Sequence, residues 1–304
     1  MQNMNWVSYR NGNYRVFLDR STGTKIRLLD EGETEYLPQF AESCDILIST
    51  SCENNCPWCY AGCTSCGCEP NLLQGMLDFP AWTEIAININ TPLHPQIQEF
   101  CQYYFDRSVI INGTVNQLSY EKYQEDIDIL DYLYLSGLGI SYVQPSELLP
   151  HLLENEDHVL HVIAGLWGRS DHEYLSRLPY LPKILILGYK ETNRGQGYLD
   201  SHYCDYQENF SWLYNNLSDI LDTYPVVSFD NKALDDLQPQ RFLSSPDYQK
   251  YYMGGEGSST FALNLVDRTY ARSSQEPKEN YQSIANLTPL QMFQRIRYGK
   301  ESLN

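Results

Sequence analysis

Short β-branched, apolar runs alternate along the chain with longer stretches that have helical spacing. Seven such runs occupy residues 45–49, 84–88, 108–112, 138–142, 159–163, 184–188 and 225–229. Between them, residues 117–134 and 208–223 have the length and periodicity of helices. Near-continuous apolar runs are typical of parallel strands covered on both faces, so the pattern predicts repeated βα units.

The repeat predicts an α/β fold with a full or partial (β/α) barrel, whose chemistry lies at the carboxyl ends of the strands. Ahead of it, residues 6–29 alternate around Asn-Gly and Thr-Gly pairs, which predicts a β hairpin. Behind it, residues 260–266 resemble a strand, and residues 288–298 a helix capped by Thr288. We therefore divide the sequence into a hairpin cap (1–43), a barrel (44–235) and a C-terminal lid or extension (236–304).

Composition narrows the classes of partner. The chain has 21 Lys and Arg against 39 Asp and Glu, a formal charge of −18. Proteins that bind DNA or RNA neutralise phosphates with clustered basic residues, so the balance disfavours nucleic acid and favours a peptide or a small metabolite. No apolar run approaches the ~20 residues of a membrane helix, and the start lacks signal-peptide character. We expect a cytoplasmic protein with no membrane association.

Cysteine is the second compositional feature. Of nine cysteines, six fall within 17 residues: Cys52, Cys56, Cys59, Cys63, Cys66 and Cys68. An odd number of cysteines without a secretory signal argues against a disulfide framework. The cluster instead predicts a metal or iron-sulfur site.

Cys52, Cys56 and Cys59 form a C-x3-C-x2-C motif directly after the first predicted barrel strand. Three thiolates on so short a loop can ligate three irons of a four-iron cluster and leave the fourth iron open to a further ligand. Trp58, next to the third cysteine, can face a bound adenine. The motif therefore predicts a reactive centre rather than a closed electron-transfer centre.

At this motif the sequence resembles the radical S-adenosylmethionine (radical SAM) superfamily, whose signature is C-x3-C-x-aromatic-C at the end of barrel strand one. The resemblance extends over the whole chain, because strands and gaps match the partial (β/α)6 TIM-like barrel of that superfamily. More narrowly, several segments resemble a subgroup found in phages and bacteria, namely residues 83–87, 114–117, 161–163, 184–190, 227–231 and 252–255.

The resemblance implies a radical SAM enzyme with two cofactors. Cys52, Cys56 and Cys59 would bind a 4Fe-4S cluster, and the amino and carboxylate groups of S-adenosylmethionine would chelate the fourth iron. Reductive cleavage would give a 5′-deoxyadenosyl radical that abstracts hydrogen from a substrate, which the resemblance leaves open. The electron donor would be of the flavodoxin or ferredoxin type.

Such donors are acidic, so a chain of charge −18 needs a local basic patch to bind one. Arg295, Arg297 and Lys300 form one small basic cluster and are the predicted docking site.

Asn88, Ile89 and Asn90 stand where the superfamily has a Gly-rich segment that contacts the amino group of S-adenosylmethionine. Asparagine tolerates left-handed backbone and offers a carbonyl oxygen, so the resemblance implies cofactor contacts for Asn88 and Asn90. The branched Ile89 departs from the family pattern.

Two further cofactor contacts follow from the resemblance. Ser141, at the end of the fourth predicted barrel strand, matches the position of a ribose contact. Lys190, just past the sixth, is the candidate partner of the methionyl carboxylate, with Arg194 as the alternative.

Five polar residues near predicted strand ends are candidates to hold substrate: Asn116, Gln117, His161, Asp230 and Asn231. A histidine within a strand, such as His161, is also typical of a hydrogen-bonded core residue. Asp230 has the alternative role of a loop cap.

Cys63, Cys66 and Cys68 form a possible second metal site, for which Cys44, Cys101 or Cys204 would supply a fourth ligand. The alternative is a loop of free thiols.

Two other functional classes remain open. Cys56, Cys59, Cys63 and Cys66 have a spacing that suits tetrahedral zinc, which predicts a zinc-binding interaction module. The departure at Asn88 to Asn90 suggests instead a degenerate barrel that binds cluster or cofactor without turnover.

Overall fold

The computed structural model describes residues 6–20, 23–245, 248, 252 and 254–299; Met253 and Lys300 lie outside the described residues. In this part of the chain the strands form a three-stranded sheet and a ten-stranded sheet. The protein is thus a mixed α/β protein, as the repeat pattern predicts.

The N-terminal sheet contains β1 (Trp6–Asn11), β2 (Tyr14–Asp19) and β3 (Lys25–Leu29), all antiparallel. The predicted hairpin is therefore present, with its turn at residues 12–13, and β3 extends it by one strand.

The ten-stranded sheet holds all seven runs predicted as strands. Its strands are β4 (Ser43–Leu47), β5 (Glu84–Ile89), β6 (Ile110–Asn116), β7 (Gly137–Ser141), β8 (His158–Ile163), β9 (Lys183–Leu187), β10 (Val227–Phe229), β11 (Thr260–Asn264), β12 (Thr269–Ala271) and β13 (Gln282–Ser283). The strand order is β10-β9-β8-β7-β6-β5-β4-β11-β12-β13. Every neighbouring pair from β10 to β11 is parallel, and β12 and β13 are antiparallel additions.

Three strands of the C-terminal extension therefore belong to the main sheet. β11 pairs directly with β4, so the segment predicted as a lid supplies the neighbour of the strand that leads into the cysteine motif.

The helices are α1 (Ile97–Phe105), α2 (Gln117–Lys122), α3 (Gln124–Tyr134), α4 (Leu149–Leu152), α5 (Arg169–Leu175), α6 (Arg194–Ser201), α7 (Tyr203–Asn215), α8 (Leu217–Thr223), α9 (Asn231–Leu237) and α10 (Pro289–Tyr298). Each of the two long predicted helices is two helices, with breaks at Tyr123 and Asn216. Thr288 caps α10 as predicted, and its side chain accepts from Gln291 N at 3.2 Å. None of the helices in the described ranges has the length and apolarity that a membrane crossing needs.

The two faces of the large sheet differ in polarity. Alternate residues such as Ile85, Ile87 and Ile89 on β5 are buried and share one core with the helices. The residues between them are only partly buried, and many are polar, including Asn88 on β5 and His161 on β8. Asp45, in the middle of β4, is exposed. This polar face is therefore open to solvent and available to ligands.

The large sheet is strongly curved. In a flat sheet, six interstrand steps of about 4.8 Å would separate β4 from β10 by about 29 Å. Yet Asp230, directly after β10, interacts electrostatically with Asp45 on β4. Asn231 also lies within hydrogen-bonding reach of Glu256, just before β11. The polar face is concave, and the sheet remains open in the described residues, with β10 and β13 at its edges.

A buried ion pair joins the N-terminal sheet to the amino end of the large sheet. Arg27 on β3 donates from Nε and Nη2 to the Glu42 carboxylate at 3.0 and 2.6 Å, and Tyr14 donates to the same carboxylate at 2.6 Å. Lys25 pairs with Glu84 at the start of β5, at 3.1 Å. The small sheet thus covers the end of the large sheet opposite the carboxyl ends of its strands.

Candidate functional site

The cysteine loop, residues 50–68, follows β4 and is closed at its base by backbone hydrogen bonds. Thr50 N donates to Cys68 O at 3.0 Å, and Cys52 N donates to Thr64 O at 2.8 Å. A side chain at Gly67 would overlap the carbonyl of Thr50, so the closure requires glycine there. All six clustered cysteines lie on this one closed loop.

The segment after β9 holds the loop in place from the other side. Arg194 donates from Nε to Cys56 O at 3.0 Å and from Nη2 to Cys63 O at 2.8 Å. Thr192 Oγ1 donates to Tyr60 O at 3.1 Å. Because the Arg194 guanidinium is engaged with these carbonyls, Arg194 positions the loop.

The thiols of the motif influence one another. Burial raises the pKa of Cys56 to about 11, and the neighbouring Cys59 and Cys52 add to the increase. The hydrogen bond with Cys63 lowers the pKa of Cys59 to about 6, against the effect of burial and with help from the backbone amides of Cys63 and Ala61. The loop therefore favours a thiolate at Cys59.

The three thiols of the motif, and the residues that hold their loop in place, suit an iron-sulfur cluster. Three thiols project from a loop whose backbone is fixed, and Asn116 Nδ2 donates to Cys56 Sγ at 3.7 Å. Among the described residues, no three His, Cys, Asp or Glu side chains already converge as a metal site. Cys52, Cys56 and Cys59 are the residues that would hold the cluster.

Asn88 and Asn90 fasten the start of the loop to β5. Asn88 accepts from Ile48 N at 2.8 Å and donates to Ser49 O at 2.9 Å, so its amide continues the β4–β5 pairing beyond the last backbone pair. Asn90 Nδ2 donates to Ser49 O at 3.0 Å. Ile89 points to the opposite, buried face and does not obstruct the concave side.

Asn116, Ser141 and His161 lie side by side on the concave face. The strand register pairs Asn116 with Ser141 and Ser141 with His161. These three predicted site residues therefore come together in one row across β6, β7 and β8, which begins at the cysteine loop through the contact between Asn116 and Cys56.

His161 has an unsatisfied buried atom. Its Nδ1 is inaccessible to solvent and has no hydrogen-bond partner among the described residues. A side chain at Gly139 on β7 would overlap the imidazole, so glycine makes room for the ring. Burial lowers the pKa of His161 to about 4, and the charge of Lys190 adds to this. The imidazole is therefore neutral at neutral pH.

Gln117 is buried, and its amide is fully engaged. Nε2 donates to Glu121 at 2.8 Å and to Gln144 O at 2.9 Å, and Oε1 accepts from Val143 N at 2.9 Å. The sequence predicts that Gln117 holds substrate. In the structure its amide orders the loop after β7.

Lys190 lies beside the cysteine loop, near Ser274, Tyr60 and three carboxylates. Its ammonium donates to Ser274 Oγ at 3.0 Å and lies 4.2 Å from the centre of the Tyr60 ring. Burial alone would lower the pKa of Lys190, but Tyr60, Asp45 and other nearby acidic groups raise it overall. The ammonium is therefore charged; its direct hydrogen bond is to a hydroxyl, and Asp45, Asp230 and Glu256 lie near it.

Asp230 caps α9, as the alternative interpretation of that residue predicts. Its Oδ1 accepts from Ala233 N at 2.7 Å and from Gly188 N at 2.9 Å. Burial raises the pKa of the Asp230 carboxyl. The next residue, Asn231, is hydrogen-bonded to Glu256. Asp230 therefore connects the end of β10 to the segment after β9, and Asn231 connects it to the segment before β11.

A cavity of about 180 Å³ lies between Trp58 and the loops after β7 and β8. Its lining includes Tyr142, Trp167, Tyr198 and Asn209. Trp167 Nε1 is buried without a hydrogen-bond partner in the part of the chain that the structure describes. The cavity is smaller than the roughly 300–1,000 Å³ typical of whole-ligand pockets.

The cysteines of the possible second metal site and its candidate fourth ligands differ in burial. Cys66, Cys68 and Cys204 are exposed, whereas Cys44 and Cys101 are buried in the core. Cys63 is buried and interacts with Cys59 rather than with Cys66 or Cys68.

Two residues of the predicted basic docking cluster, Arg295 and Arg297, belong to the described part of the chain. Arg297 donates to the carbonyls of Ser258 and Tyr36, before β11 and β4, so it marks the amino end of these strands. Arg295 interacts with Tyr270. Arg297 also lines a pocket together with Glu256, which interacts with Asp45 and Lys190.

Sequence reasoning missed several site residues, namely Asp45, Gly139, Trp167, Glu256 and Ser274. Alternation along β4 places Asp45 on the same face as Leu47, a signal that the sequence does contain. Glu256 and Ser274 carry no local signal, because they join the site through the pairing of β11 with β4.

No protein-family model matches the chain, and no curated protein matches it either. The residues of the site therefore carry the functional inference.

Proposed function

We propose that the protein is a radical S-adenosylmethionine enzyme on a partial (β/α)6 barrel formed by β4 to β9. The observation that carries the proposal is the position of the C-x3-C-x2-C motif. It lies on a clamped loop at the carboxyl end of β4, and Asn116 links it to a polar row on the concave face. When bound, the 4Fe-4S cluster and S-adenosylmethionine supply the radical that removes hydrogen from a substrate.

The chain's own residues supply position and polarity for the cluster. Cys52, Cys56 and Cys59 would be its ligands. Asn116 donates to the Cys56 sulfur, and hydrogen bonds to sulfur tune an iron-sulfur centre. Arg194 fixes the backbone at Cys56 so that the thiols stay at the mouth of the concave face.

Lys190 and Asn90 are suited to the methionyl part of S-adenosylmethionine. The Lys190 ammonium would pair with the carboxylate. The contacts of Asn90 in the described residues use its Nδ2, so its Oδ1 is the acceptor for the amino group. Asn88 supports this contact by fixing the end of β5.

The cavity beside Trp58 is suited to adenine. Trp58 offers an aromatic surface, and the unpartnered Nε1 of Trp167 can donate to a ring nitrogen. Ser141 lies on the concave face between Asn116 and His161 and would contact the ribose.

The substrate would occupy the concave face beyond the cofactor. His161 and Asn116 offer polar contacts there, and Asp230 and Asn231 border the opening. Asp45 and Glu256 add negative charge, which disfavours a nucleic acid and favours a peptide or a small metabolite. The electron donor would be a flavodoxin or a ferredoxin, and the basic cluster around Arg295 and Arg297 is its candidate docking site.

Anaerobic reconstitution tests the proposal. The protein is loaded with iron and sulfide, reduced with dithionite and mixed with S-adenosylmethionine, and bound iron and 5′-deoxyadenosine are measured. We expect about four irons per chain and 5′-deoxyadenosine above the level of a no-enzyme control. Cys56→Ala should lose both, whereas Cys204→Ala, at an exposed site on α7, should keep both.

Two results would contradict the proposal. Stoichiometric zinc without a cluster would indicate the zinc-binding interaction module. A stable cluster without 5′-deoxyadenosine would indicate a degenerate barrel.

A further inference from the structure

Cys63 differs from the other cysteines that follow the motif. It is 6% exposed, whereas Cys66 and Cys68 are exposed. The C-x3-C-x2-C motif ends at Cys59, so the spacing alone gives Cys63 no role in the first site.

The surroundings of Cys63 match those of a motif cysteine. Asn90 Nδ2 lies 3.7 Å from Cys63 Sγ, the same distance that separates Asn116 Nδ2 from Cys56 Sγ. Arg194 donates to the carbonyls of both Cys63 and Cys56. Each of the two sulfurs thus receives an amide donor from a strand end, and each backbone is held by the same guanidinium.

Cys63 also interacts directly with the motif. Its thiol is hydrogen-bonded to Cys59, and Cys52 is close enough to act on it electrostatically. A buried thiol that only fills space needs neither an amide donor to its sulfur nor a partner thiol. These contacts place the Cys63 sulfur beside the motif thiols, and an N–H donor such as Asn90 Nδ2 stabilises a thiolate once it is bound to metal.

We propose that Cys63 is a fourth protein ligand of the same cluster, bound to the iron that S-adenosylmethionine occupies afterwards. The inference rests on the proposed function, because it assigns a resting ligand to that site. The Cys63 thiol gives its proton to solvent when its sulfur binds the iron. When the amino and carboxylate groups of S-adenosylmethionine displace it, the thiolate takes a proton back, and no electrons are transferred.

Ligation by Cys63 would protect the fourth iron in the absence of S-adenosylmethionine. With four thiolates the resting cluster has no open position, so a chelator or oxidant removes its fourth iron slowly. S-adenosylmethionine must compete with Cys63, which weakens its apparent affinity relative to a chain without this thiol.

Cys63→Ala and Cys63→Ser test the proposal on the reconstituted protein, with Cys66→Ala as the matched control. Loss of iron to a chelator is followed without S-adenosylmethionine, and the three-iron form is counted by electron paramagnetic resonance after mild oxidation. We expect both Cys63 variants to lose the fourth iron about tenfold faster than the unmodified protein. They should bind S-adenosylmethionine more tightly, while Cys66→Ala matches the unmodified protein. Thermal unfolding of the Cys63→Ser protein checks that the loop remains folded.

Two outcomes would overturn the proposal, and they are distinguishable. If the unmodified protein holds a cluster and forms 5′-deoxyadenosine, but both Cys63 variants keep iron as it does, this inference fails and the proposed function stands. If the unmodified protein takes up zinc and no cluster, both the proposed function and this inference are wrong.

Discussion

Arg194 Nε donates to the carbonyl oxygen of Cys56 at 3.0 Å, although 138 residues separate the two along the chain. The same side chain reaches Cys63. One guanidinium from the start of α6 therefore helps to hold the cysteine loop above β4, together with Thr192 and the backbone hydrogen bonds that close the loop.

Arg194→Gln should weaken the retention of iron more than the stability of the fold. Glutamine cannot span both carbonyls, and hydrogen bonds to a charged group contribute about 1.5–3 kcal/mol each. We expect iron content after reconstitution and desalting to fall well below that of the unmodified protein. Arg177→Gln, on an exposed arginine, is the control. Equal iron content in the two variants would show that the clamp is dispensable.

His161→Leu should separate function from stability. The buried Nδ1 lacks a partner, so an apolar side chain of similar size should leave the free energy of unfolding unchanged or raise it by about 1–3 kcal/mol. Formation of substrate-derived product should fall, because the proposed substrate face loses its imidazole. Urea unfolding and a hydrogen-abstraction assay measure the two effects.

The pH dependence of the His161→Leu protein gives a second measurement. The folded-state pKa of His161 is about 4 against an ordinary value of 6.5, so the unfolded chain binds the proton more readily. The unmodified protein should therefore lose stability as pH falls from about 6.5 toward 4, and the variant should lose less. A large loss of stability in the variant at pH 7 would indicate instead a satisfied core histidine.

Glu42→Gln should detach the N-terminal sheet. Removing one partner of a buried ion pair costs about 3–5 kcal/mol, because Arg27 would keep its charge without a counter-ion. Burial alone would raise the pKa of Glu42, but the hydrogen bonds and charge of Arg27 lower it overall. The stabilisation is therefore present above the ordinary carboxyl pKa of 4.5 and lost as pH falls through the lowered value.

Urea unfolding at pH 7 and at acidic pH checks this prediction. The difference between Glu42→Gln and the unmodified protein should shrink at low pH. Glu31→Gln, on an exposed loop residue, is the control. A Glu42→Gln protein as stable as this control at pH 7 would contradict the anchoring role.

His158 should give the protein the opposite pH response. Burial would lower its pKa, but the hydrogen bonds to Asp131 at 3.1 Å and to Leu152 O at 2.5 Å raise it overall. A raised histidine pKa stabilises the fold below the ordinary value of 6.5, and the contribution is lost as pH rises through the folded-state value. His158→Gln should flatten the decline in unfolding free energy above pH 6.5. His151→Gln, at an exposed site, should not change it.

The strands were predictable from the sequence because their apolar runs are local signals. The cap of α10 was predictable for the same reason, since Thr288 and Gln291 satisfy each other within one turn. The insertion of β11 beside β4 was not predictable, because no short-range pattern states which strand edge a distant run will join.

The candidate site shows a similar limit. The cysteine motif and the row of Asn116, Ser141 and His161 could be placed from spacing and strand ends. The sequence does not reveal whether an amide is already engaged, as Gln117 and Asn88 are. It also does not reveal that Cys63 is buried while Cys66 is exposed, since that depends on how the loop folds back on residues after β9.

The contacts of Arg194 with the cysteine loop also form only late in the synthesis of the chain. A ribosome-bound chain that ends before residue 190 already contains every cysteine of the loop, yet it lacks the side chains that hold Cys56, Tyr60 and Cys63 in place. Iron delivered at that stage would meet a loop that lacks these contacts. For the proposed cluster, the recipient would thus be a chain synthesised beyond α6, so that insertion would follow translation of β4 to β9 rather than accompany the first of these strands.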